Sequence, residues 1–174
     1  MIDWPLATYR SLKKSGVQLV GYVPDAGHKR LIELCLADRA LDAVVLSTEE
    51  EGIGLAAGGW LGGARGALLM QSSGVGNCVN ALGMVRECRF PLLMLVTMRG
   101  EQGEFNPWQV PMGQATAGVL AAMGVVVHEA GTPDEVAPAV NAAARLAFGS
   151  YQAVAVLISQ RVIGIKSFQE QVSQ

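Results

Sequence analysis

Six uninterrupted apolar runs, separated by segments with helical spacing, constrain the fold of this chain more than any other feature. They lie at residues 17–23, 43–46, 66–71, 91–97, 125–128 and 153–158. A strand with one solvated face alternates polar and apolar residues, whereas a strand of a parallel sheet that helices cover on both sides is apolar throughout. The runs therefore predict the α/β class: a doubly wound, parallel sheet of about six strands with helices on both faces, in a single domain over residues 1–174.

Helical patterns fill the gaps between these strands. They cover residues 6–14, 31–36, 49–62, 79–88, 115–123 and 133 to about 149. The sequence from Thr132 to Glu135 indicates a capping box with proline at the first helical position, and Pro138 predicts a bend in the helix that follows. Residues 98–112 show no regular pattern, and the tail from about residue 165 is predicted to be frayed.

Composition argues against some partners and for another. The chain is 51% hydrophobic and 16% charged, with a net charge of −2, which does not favour nucleic acid or an anionic membrane surface. The uncharged runs at 66–85 and 105–128 are broken by polar residues, glycine or proline, so neither suits a membrane span. Because no basic-then-apolar leader opens the chain, we expect a cytoplasmic protein. The large apolar share predicts a buried interface with another protein chain.

A glycine-rich helix that begins with three adjacent carboxylates, Glu49, Glu50 and Glu51, is the most unusual segment. Beyond these residues the segment is uncharged and apolar nearly all round, which predicts a buried helix. Its glycines weaken a helix, yet three of them recur every fourth residue and share one face, where another backbone could approach closely: Gly54, Gly58 and Gly62. A carboxylate carried into such a junction resists ionisation unless a partner shares its proton, so one of the glutamates is a chemical candidate.

The other candidates follow from the sheet. Ligands of open parallel sheets lie beyond the carboxyl ends of the strands. The segments to consider are therefore the predicted turns at 24–28, 47–51 and 71–77 and the irregular segment at 97–112.

These segments together resemble the pyrimidine-binding domain of the thiamine diphosphate enzymes. The pattern Glu50-x-Gly52-x-x-x-Ala56-Ala57-x-Gly59-Trp60 is similar to that family's glutamate-bearing helix. Ser72-Ser73-Gly74-Val75-Gly76-Asn77 resembles its Thr-Ser-Gly-Pro-Gly-x-x-Asn turn, with valine for proline and the asparagine two residues early. Pro24-Asp25 stands where many 2-oxo acid decarboxylases carry a Pro-Gly-Asp turn.

Within that family, two further segments resemble the sulfopyruvate decarboxylase alpha subunits most, with the phosphonopyruvate decarboxylases as the nearest relatives. They are Arg99-Gly100-Glu101 and Pro107-x-Gln109-x-Pro111-Met112-Gly113-x-Ala115-Thr116. The resemblance runs from about residue 17 to residue 158. It implies a carboxy-lyase that converts sulfopyruvate to sulfoacetaldehyde and carbon dioxide, with phosphonopyruvate or another 3-substituted pyruvate as the alternative substrate.

The resemblance also implies a catalytic glutamate, which hydrogen-bonds N1′ of the cofactor's aminopyrimidine ring. The register with Ala56, Ala57 and Gly59 favours Glu50, and a shift of one residue to Glu49 or Glu51 stays open.

Thiamine diphosphate enzymes hold the diphosphate through Mg²⁺ with a Gly-Asp-Gly sequence and a later Asn. This chain has no Gly-Asp-Gly sequence, and we expect no further domain within its 174 residues. We therefore expect no metal ligands here and a separate beta subunit that holds Mg²⁺, in an assembly of at least two alpha and two beta chains.

The remaining candidate residues each have a functional and a structural interpretation. The 72–77 segment would contact the pyrimidine through Ser73, Gly74, Gly76 and Asn77, or it is an ordinary turn in which the asparagine caps a helix.

His28 and Asp25 would assist proton transfer, or they lie on a helix surface and do not take part. Arg99 would bind a sulfonate or carboxylate, or form a salt bridge at an interface. The irregular segment at 97–112 contains three further candidates, Gln109, Pro111 and Met112. They would contact the substrate, or they would only bury the junction between the subunits.

Two other classes of function are alternatives to a decarboxylase subunit. A non-catalytic α/β binding or regulatory module would share the fold. A nucleotide-binding Rossmann domain is disfavoured, because Pro-Asp-Ala-Gly-His follows the first strand where that class has GxGxxG.

Overall fold

The computed structural model describes residues 2–164 as a six-stranded sheet in which all neighbouring strands are parallel. The strands are β1 (Val17–Tyr22), β2 (Asp42–Val45), β3 (Arg65–Gln71), β4 (Leu92–Thr97), β5 (Val126–Ala130) and β6 (Ala153–Ile158). Their order across the sheet is β2-β1-β3-β4-β6-β5. The predicted parallel sheet is confirmed, and every residue of the central strands β4 and β6 is buried, as their uninterrupted apolar sequences require.

Eight α-helices and one short 3-10 helix, Pro107–Gln109, connect and flank these strands in the described part of the chain. The α-helices are α1 (Trp4–Lys14), α2 (Lys29–Ala37), α3 (Glu49–Leu61), α4 (Ser72–Cys78), α5 (Leu82–Cys88), α6 (Val110–Ala122), α7 (Pro133–Ser150) and α8 (Gln160–Ile163). One apolar cluster packs α1, α2 and α7 on one face of the sheet, and a second packs α3, α4, α5 and α6 on the other. The sheet is therefore doubly wound, as predicted.

Several predicted boundaries were wrong. The segment from Ser72 to Asn77 is the helix α4 and not a turn, because the buried side chains of Val75 and Cys78 anchor it against the sheet despite its two glycines. The helix predicted at 79–88 begins only at Leu82. Helix α6 begins at Val110, where the sequence predicted an irregular segment to residue 112.

The predicted start of α7 agrees with the structure. The capping box of α7 is present, with Thr132 and Glu135 hydrogen-bonded to each other's backbone, and α7 continues through Pro138. The predicted tail from about residue 165 lies outside the described residues. No helix within residues 2–164 has the length and apolarity needed to cross a membrane.

Candidate functional site

Of the three adjacent glutamates, only Glu49 is buried. It is the first residue of α3 and is only 7% exposed. The side-chain amide of Asn77, on α4, donates a hydrogen bond to Glu49 Oε2 at 2.7 Å. The other carboxylate oxygen, Oε1, accepts no hydrogen bond from the described residues, so it remains free to accept a proton from a bound group.

Gly74 makes room for this carboxylate. A Cβ atom at Gly74 would lie 2.4 Å from Oε1 of Glu49, closer than any real contact. The predicted contact of Gly74 with the pyrimidine stays a prediction. In the structure the glycine lets α4 pass directly beside the side chain of Glu49.

Glu50 and Glu51 lie on the exposed side of α3. Glu51 accepts a hydrogen bond from the backbone N–H of Ser47 at 2.9 Å and so closes the start of the helix. The role predicted for Glu50 stays a prediction, but the geometry favours its neighbour. Glu49 alone among the three is both buried and hydrogen-bonded to the 72–77 segment.

Helix α3 is not buried all round, contrary to prediction. Gly52 and Gly59 pack on the sheet, where a Cβ atom would lie 2.3 Å from Leu68 and 2.7 Å from Leu19 respectively. Gly54 and Gly58 have no described atom within 4 Å of a Cβ position, so their face of the helix is open.

Met112, on α6, contacts the segment of α4 that lies beside Glu49. Its sulfur lies 3.5 Å from the Cβ position of Gly76, which, like Asn77, is exposed. Pro111 and Met112 belong to the first turn of α6 and not to a loop, which corrects the prediction. Gln109 precedes them, and its buried Oε1 has no hydrogen-bond partner in the described chain.

Asp25 and His28 lie elsewhere along the carboxyl edge of the sheet. Asp25 accepts a hydrogen bond from the hydroxyl of Thr97 at 2.6 Å. His28 is fully buried, and its Nε2 lies 3.0 Å from the carbonyl oxygen of Leu95, so the alternative of a helix-surface histidine was wrong. Burial lowers the pKa of His28, which keeps the ring neutral and does not favour it as a proton donor to a substrate.

Arg99 is committed to an internal ion pair. Its Nε and Nη2 atoms donate to the two carboxylate oxygens of Glu104, each at 2.7 Å, and the two side chains are 8% and 1% exposed. The hydrogen bonds between them lower the pKa of Glu104 and raise that of Arg99. Of the two interpretations of Arg99, the structure shows a salt bridge, although within the chain, so the guanidinium of Arg99 is not free for a sulfonate.

No local sequence pattern indicates the hydrogen-bond network around this pair. Gln160, at the start of α8, donates to Glu104 at 2.9 Å and accepts from the backbone N–H of Glu101 at 3.0 Å. Glu101 in turn accepts from the hydroxyl of Ser159 at 2.6 Å. The partners are more than fifty residues apart in the chain, so local spacing could not reveal them.

Seven of the predicted site residues thus fall into two groups. One group contains Gly74 and Asn77, which lie against Glu49, together with Gly76 and Met112, which lie against each other. The other group, Asp25, His28 and Arg99, forms internal contacts around β4 and its carboxyl end.

Known proteins resemble this chain along most of its length. It is 36% identical to the sulfopyruvate decarboxylase subunit alpha of Methanococcus maripaludis over 153 residues, which cover 87% of this chain and 92% of that protein. It is 35% identical to the subunit of the same name from Methanothermobacter thermautotrophicus over 158 residues, covering 90% of this chain and 96% of that one. The chain belongs to the sulfopyruvate decarboxylase alpha-subunit family.

Other comparisons place this alpha-subunit family among wider relatives. The phosphonopyruvate decarboxylase of Streptomyces hygroscopicus is 37% identical over 103 residues, which cover 58% of this chain and 26% of that protein. A solved structure of 2-oxoglutarate:ferredoxin oxidoreductase from Magnetococcus marinus has the same fold, with a TM-score of 0.76 and 15% identity. That match covers 98% of this chain and 34% of the oxidoreductase chain. No protein-family model matches the chain.

Proposed function

We propose that this chain is the alpha subunit of a thiamine diphosphate-dependent decarboxylase that converts sulfopyruvate to sulfoacetaldehyde and carbon dioxide. The names of the relatives that match nearly the whole chain supply the substrate. The observation that carries the chemistry is the Glu49 carboxylate, with one oxygen fixed by Asn77 and the other unbonded at the carboxyl edge of the sheet. Phosphonopyruvate is the second candidate substrate, because the relatives of that name match 58% of this chain.

The residues around Glu49 fit the pyrimidine half of thiamine diphosphate. A ring nitrogen needs a carboxylate that can hold or give up a proton, and Oε1 of Glu49 is free to do so. Gly76 and Asn77, on the helix that contacts Glu49, are exposed, and the sulfur of Met112 lies 3.5 Å from the Cβ position of Gly76. When bound, the cofactor supplies the electron sink for loss of carbon dioxide.

We assign to Glu49 the role that the sequence pattern favoured for Glu50. Glu49 is only 7% exposed, so a ring nitrogen bound at its unbonded oxygen would take the place of water as its hydrogen-bond partner. Asn77 holds the carboxylate in place by its hydrogen bond, and Gly74 provides the space. Glu50 is solvated, and its side chain lies on the outer surface of α3.

A partner subunit would cover the surface beside this site. Helices α3, α4 and α6 lie next to one another, and none of the 13 residues of α6 is charged. Leu61 is 88% exposed at the end of α3, and Trp108 is 86% exposed just before α6. An apolar surface of this kind is typical of a subunit interface. The matched relatives are called alpha subunits, which supports the existence of a partner subunit. We propose that this beta subunit binds the diphosphate and Mg²⁺, in a heterotetramer or larger assembly.

Reconstitution tests the function. The chain should be co-expressed with a candidate beta subunit, and carbon dioxide release measured from sulfopyruvate and from phosphonopyruvate, with and without thiamine diphosphate and Mg²⁺. We expect decarboxylation that depends on both cofactors and is faster with sulfopyruvate. A complex that forms but decarboxylates neither acid would support the non-catalytic module instead.

A pair of leucine variants tests the interface. Leu61→Asp introduces a charge on the proposed interface, and Leu36→Asp introduces one at a 56% exposed leucine of α2, on the opposite face of the sheet. We expect the first variant alone to weaken association with the beta subunit, as measured by analytical ultracentrifugation. Equal association of both variants with the beta subunit would place the interface elsewhere.

A further inference from the structure

A cleft of about 550 Å³ lies at the amino edge of the sheet, away from the candidate site. It is formed where α1 and α7 end and β3 begins, and it carries three cationic side chains: Lys14, Arg65 and Arg145. Within residues 2–164, no aspartate or glutamate lines it. Its volume is within the range of pockets that hold small molecules. We call it the basic cleft.

Arg65 is already fixed in position within the basic cleft. Its Nη1 atom donates a hydrogen bond to the backbone carbonyl of Ser15 at 2.8 Å. The central carbon of its guanidinium group lies 5.1 Å from the ring centroid of Phe148, a cation–π contact. One donor is therefore used, and the remaining guanidinium N–H groups have no described partner. An ordered guanidinium with free donors matches the geometry of a phosphoryl group.

The other two cations are not neutralised by the chain. The ion pairs within residues 2–164 join Lys13 to Asp38, Arg30 to Asp3 and Arg99 to Glu104. Lys14 and Arg145 belong to none of them, although Lys13, next to Lys14, is paired.

Helix capping does not account for all three charges. The carboxyl ends of α1 and α7 reach the cleft, and each has about half a negative charge from its aligned peptide dipoles. Three cations exceed what these two ends can balance, so the basic cleft keeps a net positive charge. We propose that it binds the phosphoryl group of a small phosphorylated molecule.

This binding site is separate from the proposed catalytic one. Arg65 is the first of the seven residues of β3, and α4 follows the last. A strand of that length spans about 20 Å, so the two sites lie at opposite edges of the sheet. The proposal therefore does not depend on the proposed function.

Titration of the full chain with inorganic pyrophosphate at constant ionic strength tests the proposal. Calorimetry should show saturable binding, and Arg65→Gln and Arg145→Gln should each weaken it about 5-fold. Arg65→Lys keeps the charge but loses the planar donors and should give a smaller loss. The matched control is Arg86→Gln, an exposed arginine in a different cleft, which should bind as the unaltered chain does.

Two results would overturn the proposal. One is the absence of saturable pyrophosphate binding, and the other is an equal loss of affinity in Arg86→Gln, which would mean unspecific attraction to positive charge. Thermal unfolding of each variant shows whether it is folded. Arg65→Gln loses the packing of Arg65 on Phe148 and could fail to fold for that reason. In that case the pyrophosphate affinity of Arg145→Gln tests the proposal, because Arg145 is exposed.

Discussion

Replacement of Glu104 by glutamine should destabilise the chain more than most single changes. The carboxylate is 1% exposed and accepts hydrogen bonds from Arg99, from Gln160 and from the backbone N–H groups of Gly100 and Asn106. Glutamine has the same shape but leaves the guanidinium of Arg99 buried without its counter-charge. Removing one partner of a buried ion pair costs about 3–5 kcal/mol. With a slope of roughly 2 kcal/mol per molar urea, the unfolding midpoint should fall by about 2 M.

The same carboxylate predicts how stability depends on pH. The pKa of Glu104 in the folded chain is lowered below its ordinary value of 4.5, chiefly by the hydrogen bonds from Arg99. Its stabilisation is therefore fully present above about pH 4.5 and is lost as the pH falls through the lowered pKa. In Glu104→Gln this part of the acid sensitivity should disappear.

Urea denaturation of the isolated chain, followed by circular dichroism, measures both effects. Glu87→Gln is the matched control, because Glu87 is exposed on α5 and has no described partner. Its midpoint should change little, since surface substitutions usually cost less than about 0.5 kcal/mol. Replacing both members of the pair, Arg99→Met with Glu104→Gln, should recover part of the loss, because no charge is then left buried and the amide oxygen still accepts from one of the backbone donors. The reasoning is refuted if Glu104→Gln shifts the midpoint no more than the control does.

Three further outcomes are expected. Gly113→Ala should lower the unfolding midpoint at least as much as an ordinary core change, because its Cβ atom would lie 1.9 Å from the carbonyl oxygen of Arg99; an unchanged midpoint would show that α6 can shift. Asn77→Ala should reduce decarboxylation by the reconstituted complex about 10-fold without changing stability, since Glu49 loses its fixed position; equal activity would mean that the hydrogen bond has no functional role. In the folded chain at pH 8 a thiol reagent should modify Cys88 first, because burial raises the pKa of the other two thiols to about 11 and about 12; mass spectrometry of the modified peptides decides this.

The sheet could be predicted from sequence because its signal is local. Apolar runs such as 91–97 and 153–158 have no other stable place than the middle of a covered sheet, and both became fully buried strands. Helix α4 could not be predicted, because serine and glycine favour turns when judged by local preference. Its helical form depends on packing of Val75 and Cys78 against the second apolar cluster, which is a tertiary effect.

The choice among the three glutamates shows the same limit. Three identical residues in a row carry no internal information on which side chain points inward, and the family pattern fixes the register only to within one residue. The structure decides orientation through the position at which α3 begins, since its first residue faces Gly74 and Asn77. The partner of Arg99 was likewise not predicted. Glu104 is only five residues away but lies in a segment without a regular pattern, and Gln160, which also bonds Glu104, is distant in the chain.

Comparison of Glu49→Gln with Glu50→Gln in the reconstituted alpha–beta complex tests the central claim most directly. Glutamine cannot take up or release a proton at the ring nitrogen, so Glu49→Gln should lower the decarboxylation rate by about 100-fold or more. Glu50→Gln, a change of the same size on the exposed side of α3, should keep most of the activity. Full activity in Glu49→Gln together with a severe loss in Glu50→Gln would contradict the assignment.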